Sequence, residues 1–373
     1  MSLDVFCRGL LRELADDYEV VALSSPGAEL DRLGARENVR TCAVAMRRDI
    51  SPLADLRSLA GLWRLFRREK PDMVHSMTPK AGLLCMAAAR MAGVPVRVHT
   101  FTGLLFPTAT GLKRRLLMLT DRITCACATH VVPEGEGVRA DLASAGITRK
   151  PMRVLGHGNV RGIDLSHYSR TAAVQAEASA LRRSLGYADT DVVFVFVGRV
   201  TGDKGIRELA EAFGTLGPAA RLVLVGEQEP ALDPLDATTL RRLRSDRRIH
   251  EAGAQTDVRP WLAMADVLVH PSYREGFPNV VIEGGAMGLP AIVTDINGSR
   301  EIVEHGRNGL IVPPHDSSSL ARAMERLLDD AEERERLAAP ARQMVAERYE
   351  QGYVRRCLKD FYRSILFGRQ HHV

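Results

Sequence analysis

Ala265-Asp-Val-Leu-Val-His-Pro-Ser-Tyr-Arg-Glu-Gly-Phe-Pro-Asn-Val-Val-Ile-Glu283 decides the architecture of this chain. Ala265 to His270 is a short, apolar, β-branched run, which reads as a buried strand. Pro271 to Pro278 is a Gly/Pro turn holding Glu275. Asn279 to Met287 reads as a helix with Glu283 about one turn in. A strand, a turn and a helix in that order make half of a βαβ unit. The free N–H groups at such a helix start can hold an anion. Two carboxylates beside that start would suit a sugar joined to a nucleotide through a pyrophosphate.

The same alternation runs outward in both directions. Towards the C-terminus, Ala291–Thr294 and Gly309–Val312 read as further strands. Towards the N-terminus lie Ile249–Glu251, Arg221–Gly226 and the very apolar Asp191–Val197. The last leads into Phe196-Val-Gly-Arg-Val-Thr-Gly-Asp-Lys-Gly205 and a helix over Ile206–Phe213. Gly198 and Gly202 allow tight turning, and Arg199 and Lys204 place two cations near a helix N-terminus, where the dipole favours an anion by about 0.3–1 kcal/mol. Arginine offers phosphate a fork of donors, lysine a point charge. In the first half, Tyr18–Ser24, Asn38–Ala45, Asp72–His75, Val94–Thr100 and His130–Pro133 read as strands. Leu53–Glu69, Ala81–Ala92, Lys113–Ala128 and Glu136–Ala145 read as helices between them. The expected fold class is α/β, with two Rossmann-like, doubly wound domains of mostly parallel sheet. The expected domains are residues 1–160 and 175–349. A Gly-rich break over Gly156–Asp164 opens a hinge near residues 156–175, and a polar stretch runs on to about Ala180. An Ala/Arg/Glu-rich helix is expected over Asp329–Arg348, and a helix over 350–373 should pack back on the first domain. Ligands of such sheets sit at the strand C-termini.

The 373 residues suffice for two cores. With Lys+Arg 51 against Asp+Glu 46, the net charge of +5 fits anionic ligands or an anionic membrane surface. It is too small to argue for nucleic acid, and no zinc-finger spacing or RNA-binding aromatic motif is present. The scattered cysteines, six in number, read as reduced thiols of a cytoplasmic protein. No apolar run reaches membrane-spanning length, because Arg90 interrupts Ala81–Val98. Residues 2–16 read as a helix with Phe6, Leu10, Leu11 and Leu14 on one face, so the strand and glycine turn that normally open a Rossmann-like domain are not found. Either the first domain is truncated, or roughly 15–25 residues of strand and loop are encoded upstream.

Gly198-Arg199-x4-Lys204-Gly205 followed by Glu275-Gly-Phe-Pro278-x4-Glu283 resembles the C-terminal domain of family 4 retaining glycosyltransferases of the GT-B fold. Gly253–Asp257, Asp266–Ser272, Glu283–Pro290 and Asn308–Val312 extend the match. Val74–Gly82, Val98–Gly103 and Val154–Asp164 resemble the subgroup that builds capsular, exopolysaccharide or O-antigen units on a lipid carrier. The resemblance implies two domains facing a cleft and a retaining enzyme. Its donor would be a UDP-hexose or UDP-N-acetylhexosamine, its acceptor a lipid-linked saccharide at the cytosolic face of the inner membrane. No metal or other cofactor is implied. Arg199 and Lys204 would grip the diphosphate, Glu283 the ribose hydroxyls and Glu275 a hydroxyl of the donor sugar. Backbone from Gly276 through Phe277 and Pro278 to Asn279 would meet sugar and phosphate. Gly198, Gly253 and Asp257 would line the donor pocket, whose base lies around Gly253–Val258.

In the first domain, His75, Thr102 and Gly103 stand where an acceptor would bind. The family's loop histidine is replaced by Thr102, and His99 is the expected substrate contact in its place. His157, in the hinge, and His270, before the Glu275 turn, are further candidates. The apolar tip Leu104–Phe106, the bases Lys113–Arg115 and the cluster Arg64, Arg67, Arg68 and Lys70 could face a membrane. Alternatives are a nucleotide-sugar epimerase on the same fold and a non-catalytic sugar-nucleotide binder.

Overall fold

In a computed structural model, described here for residues 6–47, 51–229 and 233–368, the chain divides into two compact units. One comprises Met1–Gly162 with Gln351–Val373, the other Ile163–Glu350. Every described strand pairing is parallel.

The second unit holds a six-stranded sheet. Its strands are β6 (Val192–Val197), β7 (Ala220–Val225), β8 (Ile249–Gly253), β9 (Val267–His270), β10 (Ala291–Thr294) and β11 (Gly309–Val312). Their order in space is β11-β10-β9-β6-β7-β8, so the first strand in sequence lies in the middle, between β7 and β9. Chain direction reverses about that point, the topological switch of a doubly wound sheet. β6 reads Val-Val-Phe-Val-Phe-Val because both faces are covered. Val193 and Val195 enter a core with Trp261, Ile282 and Tyr349. Val192, Phe194 and Phe196 enter another with Leu209, Phe213 and Met324.

The first unit holds two smaller sheets. β1 (Val21–Ser24) pairs with β2 (Arg40–Ala43), and β3 (Met73–Ser76), β4 (Val96–Phe101) and β5 (His130–Pro133) form a three-stranded sheet. Helices Pro52–Glu69 and Pro79–Ala92 each start on proline at N1, where a missing N–H costs no hydrogen bond. The second ends at Gly93 in the left-handed region, a standard stop. Glu37, buried, accepts hydrogen bonds from the Gly9 N–H at 2.9 Å and from Arg36 Nε at 2.8 Å. It thereby holds the start of helix Leu10–Ala15. The final helix, Gln351–Phe367, packs Phe361, Tyr362 and Ile365 against Leu10, Leu14, Val96 and Val98.

All eleven strands expected from sequence form. One helix was not foreseen and two helical expectations change. The polar stretch before Ala180 contains a helix, Ala172–Ser184, started by the Thr171 side chain accepting from the Val174 N–H. The single helix expected over Asp329–Arg348 is two, Ala331–Ala338 and Ala341–Tyr349, with Pro340 at the break because proline cannot continue a helix. Of the helix expected over residues 2–16, residues 2–5 lie outside the described residues, and Gly9, at φ 73°, separates Cys7 from the helical turn at Leu10.

Candidate donor site at the C-terminal edge of the second sheet

Three glycines stand at the C-terminal ends of three neighbouring strands: Gly198 after β6, Gly226 after β7 and Gly253 closing β8. The Gly198 N–H donates to Val225 O at 2.9 Å and the Gly226 N–H to Gly253 O at 2.9 Å. A Cβ at Gly226, whose φ is +146°, would sit 1.8 Å from Gly198 O. The closeness of the two backbones therefore demands glycine. It leaves a shallow floor of main chain along this edge, from which the Arg199–Lys204 loop rises.

That loop is tied to the turn after β9. The Tyr273 N–H donates to Asp203 O at 2.9 Å, and Ser272 Oγ to the same oxygen at 3.3 Å. Gly205 sits at φ +72°, where a Cβ would lie 2.0 Å from Pro271 O. The N-termini of helices Ile206–Phe213 and Asn279–Ala286 thus follow two loops clamped together. Neither helix carries a side-chain cap: their N-caps are Gly205 and Pro278. Helix starts without a side-chain cap, beside cationic side chains, are an arrangement suited to receive an anion.

The charges there differ in how tightly they are held. Lys204 Nζ lies 2.5 Å from Glu275 Oε1, with the two side chains 14% and 16% exposed. His270 Nε2 meets the same oxygen at 3.0 Å. Burial raises the Glu275 pKa, but the hydrogen bond from His270 and the Lys204 charge outweigh it and bring it down from 4.5 to about 2. Glu275 is therefore a fixed anion and acceptor, unsuited to donate a proton at neutral pH. The His270 ring stacks on Phe196, centroids 6.2 Å apart, and its Nδ1 is buried without a hydrogen-bond partner. Arg199 is looser. It stands 3.6 Å from Asp203 and 3.9 Å from Glu229, beyond hydrogen-bond length, and its side chain is 39% exposed. It is the cation freer to swing onto an incoming phosphate.

Glu283 is buried in the second turn of helix Asn279–Ala286. Phe277 points into the core against Tyr349, ring centroids 5.4 Å apart, so only its main chain can meet a ligand. Asp257 was expected at the donor pocket, but its carboxylate is engaged by Arg259, with Nη2 at 2.5 Å and Nε at 2.9 Å, which holds its pKa down. His270 was only an open candidate in the sequence. Its place at the end of β9, five residues before Glu275, was the available signal.

In the first unit His99 and His75 are both engaged by other residues of the protein. His99, expected to touch substrate, is buried. Its Nδ1 bonds Ser76 Oγ at 2.8 Å, its ring stands edge-on to Phe101, and it fills the space a Cβ on Gly82 would need, 2.3 Å from His99 Cε1. Burial drops its pKa to about 3, so it stays neutral. His75 uses both nitrogens, Nδ1 with Tyr362 OH at 2.5 Å and Nε2 with Thr100 Oγ1 at 2.7 Å, and burial lowers it to about 4. His99 therefore faces inward and is packed away from any ligand, while His75, partly buried, is held by its two hydrogen bonds. Thr102 and Gly103 remain at the C-terminal edge, Thr102 Oγ1 donating to Met77 O at 2.9 Å. His157 lies beside Tyr353. Leu104 and Phe106 of the expected apolar tip are core residues, and only Leu105 is exposed. Among the described residues no helix is long and apolar enough to cross a membrane.

Two family models match the chain, "Glycosyl transferase 4-like domain" over residues 3–158 and "Glycosyl transferases group 1" over residues 191–330. The capsular polysaccharide biosynthesis glycosyltransferase CapM of Staphylococcus aureus is 30% identical over 357 residues, covering 94% of this chain and 91% of CapM. The UDP-Gal:alpha-D-GlcNAc-diphosphoundecaprenol alpha-1,3-galactosyltransferase of Escherichia coli is 30% identical over 289 residues, 76% of this chain and 73% of that protein. Among solved structures, Anabaena HepE in complex with UDP superposes with a TM-score of 0.78 at 20% identity, covering 95% of each chain. The pairing of a 4-like first half with a group 1 second half, on two Rossmann-like units, makes this chain a member of the family 4 glycosyltransferases of the GT-B fold.

Proposed function

We propose that this glycosyltransferase moves a hexose or N-acetylhexosamine from a UDP-sugar to a lipid-linked saccharide in surface-polysaccharide synthesis, with retention of anomeric configuration and without a metal. The observation that carries the reading is the Lys204–Glu275–His270 cluster between two uncapped helix starts. The UDP in the HepE complex and the diphosphoundecaprenol in the name of the E. coli relative support the choice of donor and acceptor class.

In this reading the diphosphate lies along the helix starts and draws Arg199 and Lys204 onto its oxygens. Glu275, ionised, accepts a hydrogen bond from a donor-sugar hydroxyl, and Glu283 accepts from the ribose. As the bond between C1 and the β-phosphate oxygen breaks, both cations offset the charge left on the phosphate. The acceptor hydroxyl oxygen bonds to C1 on the same face, and its proton passes to the departing phosphate oxygen. Lys204→Ala should weaken UDP binding at least about tenfold and lower kcat by roughly 10²–10³, as for loss of a group that meets transition-state charge. Titration calorimetry with UDP and turnover on lipid-linked acceptors measure the two. A folded wild-type protein with no affinity for UDP, or an unchanged kcat in the variant, would refute the assignment. NMR of the product's anomeric proton tests retention.

A lipid-linked acceptor would bring the first unit against a membrane, and one exposed helix face supports that reading. On helix Gly111–Cys127, Leu112, Leu116, Leu119 and Ile123 are exposed at spacings of four, three and four, which places them on one stripe. Lys113, Arg114 and Arg115 flank it at the helix start. An exposed apolar stripe edged by bases suits an anionic leaflet.

A further inference from the structure

Strand β2 (Arg40–Ala43) has β1 on one side and, among the described residues, no strand on the other. The Val44 N–H donates to Ser24 O at 2.9 Å, so the backbone groups of Cys42 and Val44 face β1. By alternation those of Val39, Thr41, Ala43 and Ala45 face away. The ends of that outward row are satisfied within the chain. The Val39 N–H donates to Gly34 O at 3.2 Å, and Ala45 O accepts from Ser58 Oγ at 2.6 Å. Between them Thr41 and Ala43 direct their N–H and C=O groups outward, and among the described residues no neighbour takes them. They open on a groove of about 1010 Å³ between β2 and one flank of helix Pro52–Glu69. Ser58 and Gly61 form its less exposed side, and Arg47, Arg57, Arg64 and Arg68 its exposed rim. Among the described residues no carboxylate lines the groove. Arg68 is paired with Glu69 at 2.9 Å, whereas Arg47, Arg57 and Arg64 have no ion-pair or hydrogen-bond partner among the described residues.

An open strand edge beside unpaired guanidiniums fits one kind of occupant. We infer that the groove receives an extended acidic peptide, a segment of another protein that adds to β2 as a further strand and sets its carboxylates against the arginines. The spacing agrees. At 1.5 Å per residue, Arg57 to Arg68 spans about 16 Å of helix and Arg64 to Arg68 about 6 Å. An extended chain rises about 3.3 Å per residue, so about five residues run the length of the rim and alternate side chains stand about 6.6 Å apart. Acidic residues at every second position therefore reach Arg64 and Arg68 in turn, while the intervening side chains fall on the other face of the sheet. A second copy of this chain is a poor occupant, because pairing edge to edge would set the four arginines against the same four. A lipid surface would meet the guanidiniums but offers no row of donors and acceptors in register with Thr41 and Ala43. The groove lies in the first unit and shares no residue with the donor site.

The probe is a short fluorescein-labelled peptide of alternating valine and glutamate, added to the full chain at physiological salt. Fluorescence anisotropy should show saturable binding. The same peptide with glutamine for glutamate, or with proline in place of valine, should bind at least about tenfold more weakly, the first for want of charge and the second for want of backbone donors. Arg57→Ala combined with Arg64→Ala should weaken binding by about tenfold or more. Ala43→Pro, which removes an outward N–H and leaves every arginine in place, should do the same. In the peptide complex the amides of Thr41 and Ala43 should exchange with solvent roughly tenfold more slowly, which carries the backbone arm of the test if Ala43→Pro does not fold. Absence of saturable binding would overturn the inference. Equal binding of the proline peptide, or unchanged exchange at Thr41 and Ala43, would overturn it too, by reducing the groove to a general anion patch. Displacement of the peptide by vesicles of anionic phospholipid, lost in the double arginine variant, would instead give the arginines to a lipid surface. UDP affinity belongs to the second unit and should be the same in every variant; its absence from the wild-type protein would count against the donor-site reading and leave this one untouched.

Discussion

Replacing Glu275 by glutamine removes the charge on which Lys204 and His270 converge while keeping the side chain's shape. The wild-type carboxyl falls from 4.5 to about 2, against burial and by virtue of His270 and Lys204. At about 1.36 kcal/mol per pKa unit this is worth about 3 kcal/mol to the folded second unit at neutral pH. The sign follows from the direction. A depressed carboxylate contributes in full above its unfolded pKa and loses that contribution as pH falls through the folded value. The difference between wild type and Glu275→Gln should therefore be about 3 kcal/mol at pH 7 and about 2 kcal/mol at pH 3.5. Fluorescence can isolate the unit concerned, since the chain's tryptophans are Trp63 and Trp261 and a Trp63→Phe background leaves a reporter packed in the second unit's core. Urea titrations at several pH values give the difference directly. A pH-independent difference, or none, would show that Glu275 is not held as a buried anion, and the reasoning about its hydrogen-bonding role would fall with it. The same variant should bind UDP no more weakly than wild type, because Lys204 is released towards the diphosphate, while turnover drops through loss of the sugar-hydroxyl contact. Calorimetry and turnover separate those outcomes.

Gly205→Ala should abolish UDP binding while leaving the first unit folded, because its Cβ would meet Pro271 O at 2.0 Å and force apart the two loops; calorimetry with circular dichroism reads both effects. Gly82→Ala should destabilise the first unit by about 1–3 kcal/mol through overpacking against His99, with UDP affinity unchanged. Glu37→Ala strips an acceptor from the Gly9 N–H and should cost about 1–3 kcal/mol, read as a lower Tm of the first unit. Leu112→Ser with Leu116→Ser should reduce co-sedimentation with vesicles of anionic phospholipid by about tenfold or more, at roughly 1–3 kcal/mol per buried leucine, and leave UDP binding intact.

What the sequence discloses and what it conceals follow from the range of the forces involved. β6 is legible because six consecutive apolar, mostly β-branched residues suit a doubly covered strand. The local pattern points to tight turning at Gly198 and Gly202, whereas the closest backbone approaches fall on Gly205 and Gly226, against Pro271 and Gly198, which no local pattern names. Lys204 and Glu275 are legible as types at a spacing. That they share a hydrogen bond with His270 depends on a clamp from Tyr273 to Asp203, seventy residues apart in chain order, which no local pattern encodes. His99 misleads for the same reason. At the end of a strand it could turn outward to a ligand or inward to Ser76 and Gly82, and the choice is made by residues from two other elements.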